Sequence, residues 1–286
     1  MQEPRTVVIT GGASGIGRRA AVQLTTAGHH AVVVARSAER ARRVVDDATA
    51  AARHGGSVTL VEADLAVLAD VRRAVDRIAA LAPIAALINN AATFDLARSS
   101  ARLTADDIEE TFAVNYVAPF VLTNGLRPCL SAEAMVLNIG SKGLQALPRL
   151  QLGPDDLDSR ANYDPIRAYY RSKIALLAFT VELGRRGLPS VALRMPGVKA
   201  DPSKTAHYPL YLKVPYGLKA IWALDPATVA GQYLTLTMSP RPPHSRHLDD
   251  LGRTVPWPNG SEDPDLGSWL WDRTAALAAV GPRSPP

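Results

Sequence analysis

Short, β-branched apolar runs recur along the chain, each followed by a longer stretch with apolar positions three and four apart. Residues 6–10 (Thr-Val-Val-Ile-Thr) are apolar at every interior position and too short for a helix. That pattern predicts a strand buried on both faces of a parallel sheet. Runs at 31–35, 58–62, 84–88, 135–139 and 190–194 predict five more strands. The stretches between them read as helices. One follows Gly17, runs through Leu24 and stops at Gly28, and others cover 38–52, 69–81, 105–122 and 166–186. Thr104 and Asp107 form a capping-box variant that opens the fourth of these. Further on, a helix over 225–238 carries Pro226 in its first turn, a short last strand covers 251–255, and a final helix spans 265–280. Strand and helix alternate, so the predicted class is α/β, a parallel sheet with helices on both faces. No internal repeat and no second domain is visible. A substrate lid is expected at about 201–222 and a C-terminal extension at about 240–286.

The turn after the first strand adds chemistry to this outline. Gly11-Gly12-Ala13-Ser14-Gly15-Ile16-Gly17 links strand to helix, the context in which a glycine-rich turn binds a dinucleotide. Gly11 permits the tight turn, Gly15 lets a pyrophosphate approach the backbone, and Gly17 lets the helix pack on the strand. The whole chain, 1–286, therefore reads as a single Rossmann-type, doubly wound domain, with Ser14 and Ile16 beside the glycines in the cofactor site. The second strand ends in Arg36-Ser37, where an acidic residue would bind an adenosine 2′-hydroxyl and an arginine accommodates a 2′-phosphate. Arg36 argues for NADP(H), with Arg18 as a possible second cation. The alternative is that Arg36 is simply a solvated charge at a strand end. Asp64 and Leu65 end the third strand, where adenine is expected. Asn89-Asn90-Ala91-Ala92 end the fourth, and small and amide residues there suit a nicotinamide ribose close to the backbone.

Composition narrows the class. The chain has 286 residues, 47% of them hydrophobic, and a mean hydropathy of −0.01. That length and balance fit one soluble globular domain with a substantial core. The single cysteine, Cys129, excludes an internal disulfide, fits a reducing compartment and reads as a small buried hydrophobe. No signal-type segment and no run of ~18 apolar residues is present, so a cytoplasmic protein without a membrane anchor is expected. The net charge of +5 comes from scattered arginines and does not call for nucleic acid. His207, His244 and His247 have no metal-ligand spacing, so no metal is expected.

The predicted helix over 166–186 holds Tyr169 and Lys173, one turn apart on one face. At ~6 Å and an effective dielectric of ~20, an ammonium favours a phenolate by roughly 3 kcal/mol. That moves the phenol towards the working range of a general acid/base. The strand over 135–139 delivers Gly140-Ser141 at its carboxyl end, the crevice where ligands bind in open parallel sheets. Ser141 alone would be an ordinary turn residue and gains weight from Tyr169 and Lys173. Asn115, inside an apolar helix, needs partners: either an interhelix hydrogen bond or a polar relay to the active site.

Thr10–Gly17, Asp64, Asn89-Asn90-Ala91, Asn115, Ser141, Tyr169 and Lys173 together resemble the short-chain dehydrogenase/reductase family, over roughly residues 5–280. Asp155-Asp156-Leu157 through Tyr163, Arg167-Ala168-Tyr169 and Leu270-Trp271 further resemble its retinol-dehydrogenase-like branch. The resemblance implies that Tyr169 is the proton donor or acceptor and that Lys173 lowers its pKa and holds the nicotinamide ribose. It implies that Ser141 bonds the substrate oxygen, Asn115 holds a relay water, and Pro196-Gly197-Val198 turn beside the nicotinamide. Tyr170 is the competing phenol, but only Tyr169 stands four residues before the lysine. Many relatives have threonine where Asp201 stands, so the phosphate contact there is in doubt, with Ser203 or Thr205 as substitutes.

The expected activity is reduction of a carbonyl on a bulky apolar or aromatic substrate, or oxidation of the matching alcohol. Tyr208, Tyr211, Tyr216 and Trp222 in the lid either wall that pocket or serve as ordinary amphipathic cover. Two other readings stay open: non-redox chemistry (elimination, epimerisation or cyclisation) on the same scaffold, and an NADP-binding sensor without turnover. Helices 105–122 and 166–186 could pair with copies of themselves into a homodimer or homotetramer, unless the long final segment blocks that face.

Overall fold

The computed structural model describes residues 3–199 and 223–279. Seven strands form one sheet: β1 (Thr6–Thr10), β2 (His30–Ala35), β3 (Ser57–Glu62), β4 (Ile84–Asn89), β5 (Leu130–Ile139), β6 (Val191–Arg194) and β7 (Arg246–Asp249). Their order is β3-β2-β1-β4-β5-β6-β7, and every pairing is parallel. Around the sheet lie α1 (Gly15–Thr26), α2 (Ala38–Ala51), α3 (Leu68–Ala79) and the single turn α4 (Glu110–Phe112). A π-helical turn over Ala113–Val117 joins α4 to α5 (Ala118–Leu126). α6 (Pro165–Arg185), α7 (Pro226–Met238) and α8 (Pro264–Ala279) complete the α-helices among the described residues. The expected lid over 201–222 lies outside the described residues.

The alternating strand positions explain the continuous apolar runs. Val7, Ile9, Val33 and Ile88 pack with Ala20 and Leu24 of α1 and Val229 and Tyr233 of α7. Val8, Val32, Val34 and Leu87 face the other way, against Val71 and Ile78 of α3 and Leu122 of α5. Both faces of the sheet are covered, so neither set of positions can be polar.

Three sequence expectations shift. The last strand is Arg246–Asp249, not 251–255. Asp249 Oδ1 accepts from the Leu251 and Arg253 amides, and Gly252 has φ +74°, so 251–253 is a turn. The strand was disguised because its buried positions include His247 and Asp249, which bond the Pro256 carbonyl and Arg253. The helix expected from 105 starts at Glu110. Thr104 Oγ1 accepts from the Asp106 and Ile108 amides, Asp107 has φ +58°, and Glu109 caps the helix by accepting from Phe112 N at 2.9 Å. β5 starts at Leu130, before an irregularity: Ile84 pairs with Leu130 but Ala86 already pairs with Met135. The extra residues on β5 break its alternation, which is why the pattern became regular only at 135.

The C-terminal segment packs into this fold. Trp271 on α8 meets Phe120 at 4.9 Å and Phe179 at 5.8 Å between ring centroids, and the Arg186 guanidinium lies 4.2 Å from the indole. Tyr116 Oη and Thr274 Oγ1 share a buried hydrogen bond of 2.7 Å. α8 thus takes up part of the α5 and α6 surface through which those helices could meet a second copy. Trp271→Ala is expected to lower stability by about 2–4 kcal/mol in urea unfolding, through lost aromatic burial. Arg273→Ala, exposed on the same helix, is expected to stay within about 0.5 kcal/mol of the parent.

Candidate active site

The glycine turn is held by a polar clasp. Thr10 Oγ1 accepts from the Asn90 and Ala91 amides, each at 3.0 Å, and Asn90 Nδ2 donates to Thr10 O at 2.9 Å. Asn90 Oδ1 in turn accepts from Tyr233 Oη at 3.1 Å, tying α7 to the same corner. Gly11 has φ +66°, and a Cβ on it would lie 2.9 Å from Ala91 Cα. A Cβ on Gly17 would lie 2.6 Å from Gly11 O, so only glycine lets α1 approach the turn. Gly15 is different: φ is +56° and a Cβ would meet nothing within 4 Å. Ser14 is the extended N-cap of α1 and its side chain makes no capping bond, so the first amides of the helix remain for an anion, beside Ile16. The residues fit a dinucleotide pyrophosphate. Thr10 and Tyr233 escaped the motif reading. Thr10 lay inside it unweighted, and Tyr233 is 143 residues from the Asn90 it holds.

At the end of β2, Arg36 is exposed and Ser37 caps α2 by accepting from Arg40 N at 3.3 Å. Arg18 Nε donates to Asp47 Oδ2 at 2.7 Å, so the possible second cation is already committed to a carboxylate on α2. Asp64 Oδ1 accepts from Ala66 N at 3.0 Å, shaping the corner after β3, and Leu65 beside it is buried. Beyond β6, Pro196-Gly197-Val198 lead back past Leu224: Gly197 O accepts from Leu224 N at 2.9 Å, and Val198 bridges Leu224. Asp201, Ser203 and Thr205 lie outside the described residues.

The candidate reactive side chains come from three elements: α6, the end of β5 and the π-helical turn. Asp164 caps α6 by accepting from Arg167 N at 2.7 Å, and Pro165 fills the first helical position. About two turns in, Lys173 is buried, and its Nζ donates to Ile139 O at 2.8 Å, at the end of β5. Burial pulls its ammonium down to about 8. It therefore stays mostly charged at neutral pH. Its Nζ stands 5.7 Å from the centre of the Tyr169 ring, as the one-turn spacing requires. Phe94, in the loop after β4, stacks on Tyr169 with centroids 4.2 Å apart and planes at 25°.

Ser141 is bonded to the Tyr170 hydroxyl, and its Oγ accepts from Gly143 N at 3.2 Å. Burial pushes the Tyr170 phenol up, and the bond to Ser141 offsets part of that. The Tyr170 ring stands edge-on to Tyr169 at 5.1 Å. A side chain on Gly143 would collide with the Tyr170 hydroxyl. Asn115 is fully buried: it accepts from Thr93 N at 2.8 Å and donates to Thr93 O at 3.1 Å and to Ser172 Oγ at 3.0 Å. Ser172 Oγ donates to Tyr169 O at 2.6 Å. The amide thus makes an interhelix bond and pins the loop after β4. Around it the helix widens, since Pro119 has no N–H for the Asn115 carbonyl and the Ala118 amide reaches back to Ala113 O. Phe94, Gly143 and Ser172 escaped sequence reasoning, and Pro119 four residues after Asn115 was the one local signal of the wide turn.

Among the described residues, no group of three His, Cys, Asp or Glu is placed to hold a metal ion, and no helix is long and apolar enough to cross a membrane. What the site offers is a phenol beside a buried ammonium, at the sheet edge that carries the dinucleotide turn.

Comparison with known proteins agrees with the fold. A family model described as short chain dehydrogenase matches residues 5–150. Human retinol dehydrogenase 14 is 30% identical over 299 residues, covering 96% of this chain and 87% of that protein. The crystal structure of an uncharacterised protein from Mycobacterium paratuberculosis superposes with a TM-score of 0.70 at 25% identity, covering 98% of this chain and 95% of that one. A blue fluorescent protein from a metagenomic library, solved with NADPH, gives a TM-score of 0.63 at 24% identity, covering 86% and 96%. With half its length matched by the family model and nearly all of it aligned to such a relative, the chain belongs to the short-chain dehydrogenases, nicotinamide-dependent oxidoreductases of CH–OH and C=O groups, in their retinol-dehydrogenase-like branch.

Proposed function

We propose that the protein is an NADP(H)-dependent carbonyl reductase, or the alcohol dehydrogenase that runs the reaction backwards, with Tyr169 as its general acid/base. The observation that carries this reading is Tyr169 on α6 beside the buried ammonium of Lys173. Gly11, Ser14, Gly15, Ile16 and Gly17 would hold the pyrophosphate, and Arg36 with Ser37 the 2′-phosphate. Asp64 and Leu65 would border the adenine; Asn90, Ala91 and Lys173 the nicotinamide ribose; Pro196, Gly197 and Val198 the nicotinamide itself. Arg36 is exposed and pairs with no carboxylate among the described residues, which favours NADP(H), as does the NADPH carried by a structural neighbour. Bound there, the cofactor supplies a hydride to the carbonyl carbon, or takes one from the alcohol.

The protein's own part is position and proton. Ser141 holds the substrate oxygen by a hydrogen bond, and Tyr169 gives that oxygen its proton. The Lys173 ammonium stabilises the phenolate left behind. Asn115 sets the backbone around Tyr169 through Ser172, and its relay water would connect the site to solvent. Oriented proximity can account for ~7–11 kcal/mol of such a barrier. Phe94 and Tyr170 suit a bulky apolar or aromatic substrate, and a retinol dehydrogenase among the relatives is in keeping with one. The single Cys129, unpaired, suits a cytoplasmic setting. A homodimer or homotetramer would have to share the α5 and α6 surface with α8 or use another face.

Purified protein is expected to bind NADPH more tightly than NADH in fluorescence titration, and Arg36→Ala to remove that preference. Absent binding of both nucleotides would sink the reductase reading, and equal binding would sink the NADP(H) preference. Tyr169→Phe should lower kcat on a ketone or aldehyde by about 10²–10⁴-fold while leaving NADPH affinity within about threefold. Tyr170→Phe should cost less than about tenfold, and the reverse ranking would move the proton to Tyr170.

Lys173 gives a prediction that needs no substrate. Its folded pKa, about 8, lies below the ordinary lysine value of 10.5. Below pH 8 both states are charged and the folded one bears the full burial penalty. Between pH 8 and 10.5 the folded state sheds its proton first, so this lysine's penalty fades and its contribution to stability rises with pH. Lys173→Met should therefore be inactive yet more stable at pH 7, by on the order of 2 kcal/mol in urea unfolding. That advantage should shrink from about pH 8 upward and be gone above about pH 10.5.

A further inference from the structure

The adenosine end of the cofactor site contains a second charge that the motif reading passed over. Glu62 is the last residue of β3, the edge strand, and it pairs in register with Ala35, the last residue of β2. Neighbouring strands lie about 4.8 Å apart, so Glu62 emerges beside Arg36, the next residue along β2. Val61 is buried and Glu62 exposed, which sends the carboxylate out at the carboxyl end of the sheet. There Oε1 accepts from Ala38 N at 3.2 Å. Ala38 is the first residue of α2, and its amide is one of those a helix leaves without an internal partner. The positive end of the helix dipole favours the carboxylate at that point.

Arg36, Ser37 and Ala38 are consecutive, so a 2′-phosphate drawn to Arg36 arrives at the amide that Glu62 already holds. We infer that Glu62 is a cofactor-specificity residue working against the 2′-phosphate. The inference rests on the reading that Arg36 faces that phosphate. One amide then meets two anions, and the carboxylate must leave it or stay close to the phosphate against repulsion. The 2′-hydroxyl of NAD(H) sets no such condition, because a hydroxyl can donate to a carboxylate. Arg36 and Glu62 pull in opposite directions, and the chain discriminates between the two nucleotides less sharply than Arg36 alone would make it.

The test is titration of NADPH and NADH into the full chain and into Glu62→Gln, Glu62→Ala and Arg36→Ala. Thermal melts confirm that each variant is folded. Gln keeps an acceptor for Ala38 N and removes only the charge. Glu62→Gln should tighten NADPH roughly tenfold at low salt and leave NADH within about threefold. The gain should largely vanish at 0.5 M salt, where exposed charges are screened, and Glu62→Ala should move the ratio the same way. An NADPH-to-NADH ratio unchanged in Glu62→Gln while Arg36→Ala abolishes the preference would overturn the inference alone. A response in Glu62→Ala without one in Glu62→Gln would also overturn it, since the helix cap and not the charge would then be at work. If Arg36→Ala leaves NADPH binding untouched, the reading beneath fails and Glu62's role falls with it.

Discussion

The ammonium of Lys173 sits inside the fold with the Ile139 carbonyl, 2.8 Å away, as its hydrogen-bond acceptor. Burying a charge with so little compensation is unfavourable, and the downward pull on its pKa is the measure of that. The contact nevertheless fixes the relation between α6 and the end of β5. Tyr169 stands one turn before the lysine and Ser141 two residues after Ile139, and Tyr170 lies between them, bonded to Ser141 and edge-on to Tyr169. Stability is given up where a charge has to stay close to a phenol, a trade common to reactive sites.

The rest of the sheet edge is built from amides and hydroxyls on adjacent strand ends. Asn89 and Asn138 pair across β4 and β5 at 2.8 Å, and Asn138 reaches Thr180 on α6 at 2.9 Å. One residue on, Asn90 joins the glycine turn to Tyr233 on α7. In a parallel sheet every carboxyl end opens on one side, so polar residues there can bond along a row without breaking the apolar faces. The helices that matter to the site are tied to that row: α6 through Thr180 and Lys173, α7 through Tyr233, and the π-helical turn through Asn115. Substrate and cofactor would meet a frame of buried hydrogen bonds rather than free loops.

The aromatic side chains put a different constraint on the site. Phe94 lies flat against Tyr169 while Tyr170 stands edge-on to it, its hydroxyl turned to Ser141. Two adjacent phenols on one helix thus sit in unlike surroundings, one beside an ammonium and one beside a neutral hydroxyl. That difference in surroundings, more than position in a motif, tells the two phenols apart.

The sequence by itself determined the order of strands and helices, the glycine turn and the Tyr169–Lys173 pair. These are local: a run buried on both faces, a φ only glycine adopts readily, two residues one helical turn apart. It was misled where local signals conflict with distant partners. The Arg246–Asp249 strand hides behind a His and an Asp whose burial depends on Pro256 and Arg253. The helix expected from 105 waits until Glu110, because Thr104 spends its hydroxyl on a turn. Only the tertiary structure decided that Arg18 is taken by Asp47, that Phe94 covers Tyr169 and that Tyr233 holds Asn90. It alone brought Glu62 to the amide of Ala38. Each of these joins residues far apart in the chain, and which partner a side chain meets is set by how strands and helices pack, not by its neighbours in sequence.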